Sequence, residues 1–95
     1  MRTISKQELY KLPKGTLLSR NYGNEVKPTE LFVLGEIIKD DKGEPCDFFY
    51  SSPLNGDGMR DGLFDDDEKF IAFSDEDILD IFFRLQSALR VQQGR

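Results

Sequence analysis

KFIAFSDEDILDIFFRLQSALRV, residues Lys69–Val91, holds the two signals that decide the fold class. Lys69 to Phe73 is a short apolar segment of strand length. Ser74 follows as a helix N-cap, and Asp75, Glu76 and Asp77 place three negative charges on the first turn, where the helix dipole favours them. Ile78, Phe82, Leu85 and Leu89 then recur at i, i+4, i+7 and i+11. Ile81 and Ala88 widen this stripe into a packing face, which predicts a helix laid over a sheet. Asp80 and Arg84 are spaced to pair across one turn. Phe83 and Val91 lie off the stripe, and an exposed Phe83 would suit a subunit interface.

Upstream, Leu31 to Lys39 is the longest apolar run, with apolar residues on both alternating sets, as in a strand covered on both faces. Glu36 interrupts one set, and Gly35 marks a candidate bulge. The cluster Asp40-Asp-Lys-Gly-Glu-Pro45 reads as a hairpin turn, with Cys46 to Ser51 as the returning strand. In that strand Phe48 and Tyr50 share one face and Phe49 takes the other. Thr16 to Arg20 reads as a further strand after the turn Pro13-Lys14-Gly15, and Asn21 to Thr29 as a polar loop.

At the N-terminus Ser5 and Glu8 form a capping box, with Ile4 spaced to staple against Leu9. The helix they open covers about Lys6 to Lys11, because Leu12 precedes Pro13 and is pushed away from helical backbone. Its role is to dock Leu9, Leu12 and Tyr10 onto the sheet. The order α-β-β-β-β-α predicts one α+β domain over residues 1–95. It holds a small antiparallel sheet of about four strands, a short N-terminal helix and a longer C-terminal amphipathic helix.

Eight Phe and three Tyr among 95 residues supply a core of the size such a domain needs. There is no histidine, which removes the usual neutral-pH general base and the commonest zinc ligand. The single cysteine, Cys46, excludes an internal disulfide. No apolar run approaches a membrane span and the N-terminus is polar, so a soluble intracellular protein is expected. Net charge is −5, unevenly placed. Residues 1–30 carry six Lys/Arg against three Asp/Glu, and residues 31–95 carry seven against fifteen. That balance disfavours direct nucleic-acid binding, and no membrane partner is expected. It suits a solvated surface or a negative patch for a basic partner.

Between the last two strands lies an irregular loop ending Gly58-Met-Arg60-Asp-Gly62-Leu-Phe64, long for so small a domain. Counted from Asp57, Asp61, Gly62, Asp65 and Glu68 fall on calcium-loop positions. Met59 occupies a ligand position, however, and the flanks read as strands where helices are required. The carboxylates Asp61, Asp65, Asp66 and Asp67 sit on one loop with no opposing partner, unlike a glycosidase pair. Ser51, Ser52 and Cys46 have no histidine to activate them, and no phosphate loop is present. These residues point away from an enzyme and to no cofactor or metal. Arg60, held between glycines near Tyr50, instead offers a guanidinium and an aromatic plane of the kind that hold a nucleotide. Asp61, Arg20, Lys14 and Tyr22 complete this candidate ligand site. The bland alternative is that Arg60 pairs with Asp61 or Asp65 and that the aromatics are core.

The stretches Leu12-Pro-Lys-Gly-Thr16, Asp47-Phe-Phe-Tyr50, Arg60-Asp-Gly-Leu-Phe-Asp65 and Phe70-Ile-Ala-Phe73 before a helix resemble those of a group of small phage and prophage proteins. The linker between Tyr50 and Arg60 is shorter here than in some of them. The resemblance implies a non-enzymatic accessory protein of a virus or mobile element, working in the bacterial cytoplasm. Such a protein acts by binding. The first expectation is a counter-defence or host-takeover protein that sequesters a small anionic nucleotide-type ligand, as a homo-oligomer through the C-terminal helix. Arginine would hold phosphate, Asp61 the ribose hydroxyls and Tyr50 would stack. The alternative is an acidic inhibitor of a basic host protein, mimicking nucleic acid. A structural accessory role is third.

Overall fold

The computed structural model describes residues 1–21, 26, 28–53, 60, 61 and 64–94, with residues 60 and 61 described by backbone alone. The chain is α+β. Its elements are β1 (Arg2–Ser5), α1 (Lys6–Leu9), β2 (Leu17–Arg20), β3 (Glu30–Lys39), β4 (Pro45–Ser51), β5 (Arg60–Asp61), β6 (Lys69–Ala72) and α2 (Asp75–Gln93). The strands form one antiparallel sheet in the order β1-β6-β2-β3-β4-β5. The four strands expected from the sequence are present as β2, β3, β4 and β6. β1 and the two-residue β5 add an edge on each side.

Local chemistry explains the ends of these elements. Ser5 and Glu8 close the predicted capping box, and Ser74 with Asp77 closes a second one at α2. The amide and hydroxyl of Ser5 donate to the Glu8 carboxylate and hold its pKa below the ordinary value. α1 is shorter than expected, ending at Leu9, with Tyr10 to Leu12 continuing as turns. In the β3–β4 hairpin, Asp40 accepts the amides of Lys42 and Glu44, and Gly43 takes φ +79°, which glycine adopts without strain. β3 is irregular between Leu34 and Ile37, so the bulge expected at Gly35 is present.

The core lies on one face of the sheet and is aromatic. Phe48 stacks on Phe64 with ring centroids 4.9 Å apart, while Phe32 and Phe70 complete the cluster edge-on or stacked. Ile4, Leu9, Leu18 and Leu34 surround these rings, and Tyr10, Leu12 and Tyr50 pack against them from the margin. α1 therefore docks as expected. On the opposite face Ser19 is also buried, and its hydroxyl accepts the amides of Thr29 and Glu30 where the chain enters β3.

The sheet curls strongly. In a flat sheet β1 and β4 would stand four strand spacings apart, roughly 19 Å. Lys6, next to β1, nevertheless donates to the carbonyl of Cys46 on β4 at 3.1 Å and to that of Phe64 at 2.6 Å. One lysine thus ties the β1 side of the sheet to β4 and to the Phe64 segment.

The C-terminal helix departs from expectation. Its stripe was expected to lie over the sheet, yet no residue of α2 is fully buried. Phe82 is 56% and Leu85 67% exposed, and Ile78 and Leu89 are exposed with them. The core face instead carries the phenylalanine rings, with Leu9 of α1 and Phe64 packed among them. α2 runs about 28 Å at 1.5 Å per residue, half of the molecule's 56 Å long axis. It projects from the body as an arm.

Candidate functional site

Two regions of the fold could carry function, and they lie on different parts of the body. The first is the aromatic–cationic cluster anticipated near Tyr50. Register pairs Tyr50 with Arg60 and Phe49 with Asp61, so β5 does bring Arg60 beside Tyr50. Arg20 joins them: its guanidinium carbon lies 4.6 Å from the centre of the Phe64 ring, which itself contacts Tyr50 at 5.7 Å. This is cation–π geometry. Arg20 is also engaged by carboxylates, Glu68 at 3.2 Å and Glu30 at 3.9 Å. Tyr50 is half-buried against Phe32 and Phe48, as a core ring is. Lys14 stands apart on the exposed turn before β2, paired with Glu36 at 3.0 Å. Tyr22, Asp57, Met59 and Gly62 lie outside the described residues. Among the described residues no group of three or more metal-ligating side chains converges.

Beneath this cluster sits a residue that sequence reasoning missed. Lys6 is 1% exposed and its ammonium bonds the two carbonyls named above. Asp66 at 3.4 Å and Asp47 at 4.0 Å supply negative charge. Burial opposes its charge, but Asp47, Tyr10 and Asp66 outweigh that, so Lys6 titrates above an ordinary lysine. Burial likewise raises the neighbouring Tyr10 hydroxyl, with Lys6 pulling the other way. With its ammonium turned onto two carbonyls and two carboxylates, Lys6 acts as a clamp within the fold. Only its place at the start of an amphipathic turn, among Ile4 and Leu9, hinted at an inward position.

The second region is α2 and its root. The Met1 ammonium meets the Asp77 carboxylate at 2.6 Å and, with the cap bonds from Ser74, lowers the Asp77 pKa to about 2. Beside this junction an open groove of about 570 Å³ runs between the helix and the entry to β3. Pro28, Leu31, Phe73 and Ile81 give it apolar walls, and Glu30, Asp80 and Arg84 give it charge. Asp80 and Arg84 pair at 3.1 Å, as their spacing predicted. Beyond the groove the apolar stripe continues into solvent through Ile78, Phe82, Leu85 and Leu89. Leu79 and Phe83 extend it around the helix, with Asp75 and Glu76 exposed beside it. No described helix is long and apolar enough to cross a membrane. Exposed apolar surface of this extent on a small protein marks an interaction site.

Comparison with protein-family models, with curated proteins and with solved structures gives no match to this chain.

Proposed function

We propose that this is a non-enzymatic accessory protein of phage type, a counter-defence or host-takeover factor, that works by binding protein through α2. One observation carries the reading: a capped 19-residue helix presents Ile78, Phe82, Leu85 and Leu89, the spine of its apolar stripe, to water. Leaving such a stripe uncovered forfeits about 25 cal/mol for each Å² of apolar surface, which a partner recovers. The acids at the helix root, Asp75, Glu76 and Asp80, add a preference for basic surfaces and fit the inhibitor expected from the acidic half of the sequence. Capture from a bacterial lysate at low and high salt tests this. A partner should be held by the wild type, lost with Phe82→Asp/Leu85→Asp and weakened by salt. Identical capture by wild type and variant, or none, would overturn it.

The nucleotide-sequestering reading is second. It is favoured by the contact between Arg20 and Phe64 and by the register pairing of Tyr50 with Arg60. Against it stand Glu30 and Glu68, which already neutralise the Arg20 guanidinium and would repel a phosphate.

A further inference from the structure

We draw no further inference here: the strongest candidate, the open groove between the root of α2 and the entry to β3, has its charged residues already paired within the chain, Asp80 with Arg84 and Glu30 with Arg20, and nothing in the structure shows what covers its apolar walls.

Discussion

Lys6 Nζ donates to the carbonyl oxygen of Phe64 at 2.6 Å, joining residues 58 apart in sequence. Through this bond the start of the chain holds the segment that places Phe64 in the aromatic core. Lys6→Met keeps the volume but strands the buried Phe64 carbonyl and the part-buried Cys46 carbonyl and leaves Asp47 without its cation. Denaturant titration should show a loss of about 3 kcal/mol, in the range for uncovering buried hydrogen-bonding groups and breaking a buried pair. An unchanged midpoint would remove the clamp from the description of the fold.

The same lysine makes stability depend on alkaline pH. Its folded pKa lies above its unfolded value near 10.5, so its contribution is fully present below that value. It is lost as pH rises through the higher folded pKa. Thermal melts of the wild type should fall in that alkaline window more steeply than those of Lys6→Met.

Asp77 acts at the other end of the scale. Its folded carboxyl is held at about 2 against an ordinary 3.8. The contribution is therefore present above about pH 4 and fades as pH falls towards 2. Far-UV circular dichroism should show helix loss across that window in the wild type and a smaller change in Asp77→Ala. Ser74→Ala, which removes the other half of the cap, should cost the helix about 1 kcal/mol at neutral pH.

Phe48 touches four other rings, those of Phe32, Tyr50, Phe64 and Phe70, and is fully buried. Phe48→Ala should cost about 3–5 kcal/mol by the cavity it opens. Leu85→Ala, on the exposed arm, should leave the stability of the dilute single chain nearly unchanged. Equal losses at the two positions would mean that α2 packs on its own sheet.

Nucleotide sequestration makes a separate prediction. Cyclic nucleotides or ADP-ribose derivatives should raise the melting temperature, and Arg60→Ala should abolish the rise. No shift with any of them would exclude that reading.

Signals confined to a few neighbouring residues were legible in the sequence. The capping box at Ser5, the N-cap at Ser74, the turn after Asp40 and the strands β2, β3, β4 and β6 are each specified by local backbone chemistry. β1 was not legible, because Arg2–Ser5 offers one apolar residue and pairs only through β6, far along the chain. Lys6 escaped notice for a related reason: its partners at Cys46, Phe64 and Asp66 are brought near by the curl of the sheet. The stripe on α2 was legible but its cover was not. Periodicity tells which side of a helix is apolar, and it is silent on whether a sheet of the same chain or another chain covers that side. The candidate ligand residues were divided in the same way. Register pairs Arg60 with Tyr50, and Arg20 meets the Phe64 ring that Tyr50 touches, while Lys14 faces Glu36 elsewhere.

The most direct test is backbone amide exchange along α2, measured on the wild-type protein alone and with the partner it captures from lysate. If α2 is a binding arm covered by another chain, amides from Ile78 to Leu89 exchange rapidly in the single chain. They should gain protection in the complex, and Phe82→Asp/Leu85→Asp should abolish the gain. Protection that is high in the single chain and indifferent to those substitutions would contradict it, because the helix would then be buried within its own chain.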